Sequence, residues 1–251
     1  MFNRFELKYL ITLKQAEAFK SDLKAYLVAD EHGNEDGSYG IANLYYDSPD
    51  YRCYWEKMDG VKFRRKLRIR QYQNGKPITK DTPVFVEIKQ RYDHVTQKRR
   101  AILPYGDALQ VCNGRLMLEH EQADQAVLEE VVEFLWQYNL RTASIVQYRR
   151  QAFISAEHDI GLRVTFDTLL SCQTQQQNLH EGKLLTPMLP VDWSVMEIKV
   201  NERIPYWLTD MVARHNLTLR RFSKYCRSIK TQESRWHAIV PAANPINLQE
   251  Y

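Results

Sequence analysis

Lys66-Leu67-Arg68-Ile69-Arg70-Gln71-Tyr72 is the stretch that decides how this chain folds. Residues two apart in a β-strand project to the same face. Lys66, Arg68 and Arg70 therefore share one face, and Leu67 and Ile69 share the other. Val86-Glu87-Ile88-Lys89 splits in the same way, with Glu87, Lys89 and Arg91 opposing Val86 and Ile88. In Met196-Glu197-Ile198-Lys199-Val200, Glu197 and Lys199 oppose three apolar residues. Lys98 with Arg100, Arg163 with Asp167, and Glu6 with Lys8 fit the same pattern.

A single strand of this kind reads as half of an ordinary sheet, polar face in water and apolar face in a core. Repetition strand after strand changes the reading. Directly opposed cations repel, by roughly 3 kcal/mol per pair at ~5 Å and an effective dielectric of ~20, so such a face calls for an anion. Closing the sheet turns the cations into a lined bore, and a barrel of about eight strands accommodates one small ligand. The expected architecture is α+β: a closed antiparallel eight-stranded β-barrel with flanking helices over its apolar outer face. The expected ligand is polyphosphate or a nucleoside triphosphate. Glu6, Glu87 and Glu197 each precede an inward Lys by two residues. They are candidate ligands for Mg²⁺ or Mn²⁺, which typically bind one or two carboxylates plus phosphate oxygens. A structural ion pair is the alternative reading for Glu6 and Glu87.

Outward from these strands, Thr12-Leu13-Lys14-Gln15 has the form of a capping box. Ala16, Phe19 and Leu23 follow at helical spacing. Further strands are expected at residues 4–11, 41–46, 145–155, 161–169 and 195–200, with turns at Asn74-Gly75 and Asp93-His94. Helices are expected at 124–138, from Pro205 through Val212, and from Arg221 to Ile229, followed by an extended tail carrying Pro241 and Pro245. No linker rich in Gly, Ser or Pro interrupts the chain, so residues 1–230 read as one domain and 231–251 as a C-terminal tail.

Composition agrees with a packed, charged domain: of 251 residues, 44% are apolar and 26% charged, with a formal net charge of +4. No apolar run approaches the ~18 residues of a membrane span. The N-terminus lacks the apolar core of a signal peptide. Four cysteines without a C-x-x-C pair read as free thiols of a reducing compartment, and the expected location is the cytoplasm. The seven histidines are isolated, and neither a phosphate-binding Gly-rich loop nor a G-x-S-x-G elbow occurs. The aromatic residues, 12% of the chain, read as packing, with no alternation against the cations of the polar face.

Eight motifs taken in order resemble the polyphosphate polymerase domain of the vacuolar transporter chaperone (VTC) family, within the triphosphate tunnel metalloenzymes. They are Glu6-Leu7-Lys8-Tyr9, Tyr45-Tyr46-Asp47-Ser48, Lys66 to Arg70, Val84 to Lys89, Tyr148 to Phe153, Arg163 to Asp167, Glu197-Ile198-Lys199 and Phe222-Ser223-Lys224-Tyr225. The resemblance implies transfer of the ATP γ-phosphate to a growing polyphosphate chain, with release of ADP. By position it implies phosphate-binding roles for Lys8, Arg68, Arg70, Lys89, Lys98, Arg150, Arg163 and Lys224. Lys66, Arg100, Lys199 and Tyr225 are contributors of second rank, and Glu197 is the metal-binding carboxylate. Implied partners are ATP and inorganic polyphosphate, with Mn²⁺ or Mg²⁺; no nucleic acid is expected, and the expected lack of a membrane span departs from the eukaryotic complex. Hydrolysis of triphosphate by water on the same fold is the nearest alternative. The run Arg4-Phe5-Glu6-Leu7-Lys8 has Arg where hydrolases of this superfamily usually carry a first Glu. A non-catalytic binder of polyphosphate or RNA is the second alternative.

Overall fold

The structure, a computed structural model, describes residues 5–239 apart from 31, 32, 35, 74, 94, 121, 156–160, 175–177, 180–184 and 202. Arg4, Asn74, His94 and the tail beyond residue 239 lie outside the described residues. The chain runs β1 (Phe5–Thr12), α1 (Leu13–Leu23), β2 (Val28–Ala29), β3 (Ser38–Asp47), α2 (Arg52–Met58), β4 (Phe63–Gln73), β5 (Pro83–Tyr92) and β6 (Val95–Pro104). It continues through α3 (Tyr105–Cys112), α4 (Gln122–Gln137), β7 (Arg141–Ile154), β8 (Arg163–Gln173), β9 (Thr186–Pro187), β10 (Trp193–Val200), α5 (Tyr206–Arg214) and α6 (Lys224–Ile239). The helices α2 and α3 were not expected from the sequence, and α6 runs on past residue 230. No helix among the described residues is long and apolar enough to cross a membrane. All four cysteines are free and buried.

The capping box forms as expected. The Gln15 amide donates to Thr12 Oγ1 at 3.2 Å, and the Thr12 amide donates back to Gln15 Oε1 at 3.0 Å. At the β5–β6 hairpin, Asp93 takes a φ of 48°, a left-handed turn conformation that Asp tolerates.

Every pairing in the sheet is antiparallel, and directly opposed residues face the same way. The register therefore carries the Arg68 face across the whole sheet. Arg68 stands opposite Tyr45 and Glu87, and Glu87 stands opposite Arg100. Lys66, Lys89 and Lys98 align in the same sense. On the other flank Glu6 aligns with Lys199 and Arg163, and Lys8 with Glu197 and Thr165. Asp167, Arg150 and Tyr39 form a further row. The alternate residues are dry. Leu67, Ile69, Val86 and Ile88 pack with Val111 of α3 and with Leu128, Val131 and Leu135 of α4. Val164, Phe166, Met196 and Ile198 pack with Phe19 and Leu23 of α1 and Leu208 and Met211 of α5. Each fully buried aliphatic or aromatic side chain contributes about 1.5–3 kcal/mol, which fixes the polar face on the inside of the curve.

Among the described residues the sheet does not close by hydrogen bonds. It has ten strands in the order β1-β10-β8-β7-β3-β4-β5-β6, with β2 and β9 as short additions to β7 and β8. The expectation of a closed eight-stranded barrel is corrected accordingly. The physical reason is a wedge: Leu219 bridges Tyr9 and the Arg220 amide donates to the Lys8 carbonyl at 2.8 Å, so the outer edge of β1 is taken before β6 can pair with it. The ladder nevertheless curls strongly. β1 and β5 are six steps apart along it, about 29 Å if flat, yet Lys89 Nζ on β5 lies 2.9 Å from Glu6 Oε2 on β1.

Asp47, at the end of β3, ties the near end together. Its carboxylate accepts from the amides of Ser48 at 2.8 Å, Cys53 at 2.8 Å and Tyr54 at 3.0 Å, and the Tyr225 hydroxyl of α6 donates to it as well. It thereby caps α2, whose own N-cap residue Tyr51 makes no side-chain cap. Leaving these buried donors unsatisfied costs about 1–3 kcal/mol per group. Asp47→Ala is expected to lose at least about 3 kcal/mol in urea unfolding, and a loss below about 1 kcal/mol would show that Asp47 does not have this structural role.

Candidate functional site

The start of α6 lies buried against the cationic face, with Lys224 and Tyr225 enclosed. Ser223 is its N-cap, with Oγ accepting from the Cys226 amide at 3.3 Å and from Lys66 Nζ at 3.1 Å. Lys224 follows at the first helical position, where a cation opposes the helix dipole. Two carboxylates offset this: Lys224 Nζ lies 2.5 Å from Asp167 Oδ2 and 2.8 Å from Glu197 Oε1. Arg150 pairs with Asp167 through two prongs at 2.6 and 2.8 Å, and lies 3.8 Å from Glu197. Lys8 and Lys199 each approach Glu197 at 3.4 Å. Burial alone would raise the Glu197 carboxyl. Lys224, Lys8, Lys199 and Arg150 overcome it and hold the group well below the usual carboxylate range. Asp167 is lowered against its burial by Arg150 and Lys224. Burial pulls Lys199 down to about 7, although Glu197 and Glu6 resist.

A second nest surrounds Glu87. Its Oε2 accepts from Arg68 Nε at 2.8 Å and Nη2 at 2.6 Å, Lys98 Nζ reaches Oε1 at 3.3 Å, and Arg70 lies 3.9 Å away. Burial would raise Glu87, and Arg68, Arg70 and Lys98 reverse this to a lowered value. Arg68 also donates to the Tyr45 hydroxyl at 3.1 Å, and Arg70 donates to Asn43 Oδ1 at 2.9 Å and to the Tyr148 hydroxyl at 3.3 Å.

Glu6 joins the flanks, at 3.0 Å from Lys8 and 2.9 Å from Lys89. Arg163 turns to Asp30 at 2.5 Å and to the Tyr39 hydroxyl at 2.7 Å. Tyr225 spends its hydroxyl on Asp47 and places its ring 5.1 Å from Lys66. Arg100 stands over the Phe85 ring at 4.7 Å. The sequence-predicted cations thus share one face of the curved sheet, and the start of α6 adds Lys224. Glu6, Glu87, Glu197 and Asp167, which the alternation placed on this face, neutralise part of that charge and leave an excess of cations.

Among the described residues no three His, Cys, Asp or Glu side chains form a metal cluster. Glu6 and Glu197 come together as a pair: both lie within 3.4 Å of Lys8 Nζ, which occupies a cation position between them. Two carboxylates sharing one cation, Glu6 half-buried and Glu197 buried, supply the one or two carboxylates that Mg²⁺ or Mn²⁺ takes beside phosphate oxygens, so these residues fit such an ion in the place of the Lys8 ammonium. Glu87 has a different set of cations around it and stands apart from the pair.

Asp167, Tyr45, Tyr148 and Ser223 belong to the site without having been assigned a role from the sequence. The alternation that puts Asp167 on the Arg163 face held the signal for the first. The aromatic residues do pack, Tyr39, Tyr45 and Tyr148 within one buried cluster, but the expectation that they do not alternate with the cations is corrected. Tyr39, Tyr45, Tyr72, Phe85 and Tyr148 share the cationic face, because each lies an even number of residues from a cation or carboxylate of that face on its own strand or stands opposite one.

The lowered carboxylates set an acid limit. Their unfolded values lie near about 4, so their stabilisation is complete above that pH and is lost as pH falls through the depressed folded values. Below about pH 6, where Lys199 is protonated whether the chain is folded or not, unfolding free energy measured in urea should hold steady and begin its acid-side drop near about pH 4. Asp167→Asn, which leaves Arg150 and Lys224 short of a counter-ion, is expected to lose about 3–5 kcal/mol at neutral pH and to flatten that acid limb.

A family model described as the VTC domain matches residues 3–232. No curated protein matches the chain. Among solved structures, a Hippeastrum protein assigned as an adenylyl cyclase and reported with a dominant triphosphatase activity is similar at 13% identity with a TM-score of 0.53, covering 92% of this chain and 96% of its own. A Bacillus halodurans protein assigned as an adenylate cyclase is similar at 13% identity with a TM-score of 0.49, covering 88% of this chain and 95% of its own. With nearly the whole length matched and the basic residues of the motifs gathered on one face, the chain belongs to the VTC domain family.

Proposed function

We propose that this chain is a polyphosphate polymerase that transfers the γ-phosphate of ATP to the end of a polyphosphate chain and releases ADP. The observation that carries this reading is the cation excess of the bore. Lys8, Lys66, Arg68, Arg70, Lys89, Lys98, Arg100 and Lys199 face inward beside Glu6, Glu87 and Glu197. An unbranched polyanion suits such a lining. Phosphoryl transfer asks mainly for positioning and charge neutralisation. Arg68, Lys98 and Lys89 hold the triphosphate in this reading, and Arg150 and Lys224 present fixed positive charge where the leaving oxygen develops its own. The attacking phosphate is already ionised and needs no strong base. Glu197 with Glu6 would hold Mg²⁺ or Mn²⁺, which supplies neutralisation of phosphate oxygens.

The second reading is a triphosphatase, supported by the activity reported for the Hippeastrum protein of the same fold. The two separate on products: with ATP and Mn²⁺, a polymerase yields ADP and long chains on a gel, and a hydrolase yields orthophosphate.

The geometry also determines which variants are informative. Arg150 is 7% exposed and paired to the fully buried Asp167, so Arg150→Ala disturbs the fold together with the chemistry. Lys98 and Lys89 have side chains about 40% exposed, at 39% and 41%, and their removal leaves the core intact. Lys98→Ala and Lys89→Ala are expected to lower kcat/KM with ATP by at least about 100-fold with a cooperative unfolding transition retained. A folded Lys98→Ala variant with wild-type chain synthesis would overturn the assignment.

A further inference from the structure

Beyond Arg70 the cationic face of β4 ends in Tyr72, and the neighbouring strand places Phe85 opposite Arg70. The rings of Tyr72 and Phe85 meet edge to face, centroids 5.5 Å apart at 88°, and Tyr39 backs Tyr72 at 5.7 Å. Arg100 lies over Phe85 at 4.7 Å and Arg70 beside the Tyr72 ring at 5.9 Å. Toward the opposite end of the same face, Lys66 meets Ser223 and Cys226 at the start of α6. Tyr72 is 40% exposed and Ile102, which stands opposite Phe85, 48%. The packing helices cover the other face of the sheet, so these groups form an apolar rim on the side where the cations lie.

We propose that Tyr72, Phe85 and Arg100 form a platform on which the base of a nucleoside triphosphate stacks while its phosphates enter the Arg68–Glu87–Lys98 nest. The inference rests on reading the bore as a triphosphate site, and it adds what selects a nucleotide over inorganic triphosphate. Tyr72 and Arg68 are four residues apart on one strand, about 14 Å, which suits a base at one end and the outer phosphates at the other. Arg70 connects the two ends, touching the Tyr72 ring and lying 3.9 Å from Glu87. A guanidinium and an aromatic ring both stack on bases without regard to their hydrogen-bonding edges. Burial pushes the Tyr72 phenol up and Arg70 more than reverses this, in keeping with a ring held against that guanidinium.

Calorimetric titration of the full chain with ATP, and separately with inorganic tripolyphosphate, tests the proposal. Tyr72→Ala should weaken ATP about 10-fold or more, the loss of one stacked base, and leave tripolyphosphate binding unchanged. Tyr72→Phe should retain ATP affinity. Phe85→Leu, which keeps the bulk of the rim, should weaken ATP alone, and Arg68→Ala should weaken both ligands. Equal effects of Tyr72→Ala and Phe85→Leu on the two ligands, or none on either, would overturn the platform while the phosphate nest stands. Wild-type protein that binds neither ligand would overturn the triphosphate reading and the platform with it.

Discussion

Lys224 held between Asp167 and Glu197 is the interaction on which the rest of the molecule depends. It is a buried cation in the first turn of a helix, inside a curved sheet already lined with cations. Both local rules, of helix dipole and of like charge, run against it. It persists because the two carboxylates sit on neighbouring strands β8 and β10, and because Arg150 shares one of them. This cluster anchors α6 in the bore, and Asp47 anchors the next residue, Tyr225, to β3 and α2. The α6 end of the bore is therefore built from ion pairs and hydrogen bonds set into an apolar cluster, in which Tyr225, Cys226 and Ile229 of α6 pack with Ile41, Tyr45, Val146, Tyr148 and Leu170 of the sheet. Buried pairs of this kind add little net stability but are costly to break, and they place charged groups with little freedom, which suits a site that must meet a polyanion without rearranging.

The lining is graded. Around Glu197 and Asp167 the cations are enclosed and already paired. Toward Glu87 and Glu6 the lysines are half in water, and their carboxylate partners can be replaced by phosphate at smaller loss. A ligand entering from the wetter flank meets exchangeable charge first and fixed charge last.

Much of this was legible in the sequence because one rule, the two-residue alternation, acts on every strand. Lys66, Arg68 and Arg70 on β4, and Glu197 and Lys199 on β10, could be placed on a face without knowing which strands are neighbours. The Thr12–Gln15 capping box was legible for the same reason: its chemistry is complete within four residues. What escaped depends on distance along the chain. Asp47 caps a helix that starts five residues later and accepts from Tyr225, 178 residues away; no local pattern announces such an acceptor. Helix α2 depends on that cap, so it escaped too. The failure to close is of the same kind, since it follows from Leu219 and Arg220 settling beside β1. The aromatic rim was hidden by a different cause. Tyr72 and Phe85 have high strand propensity and read as packing, and only the register reveals that they stand on the charged side.

The open seam carries a mechanical corollary. Where a full ladder would fix the girth of a barrel by a ring of backbone bonds, here the first and fifth strands are spanned by a half-exposed Lys89–Glu6 contact between side chains. Contacts of that sort weaken as mobile ions screen them. The aperture is thus tied to the ionic medium around it, and a polyvalent guest that competes for Lys89 also loosens the clasp that sets the width of its own passage.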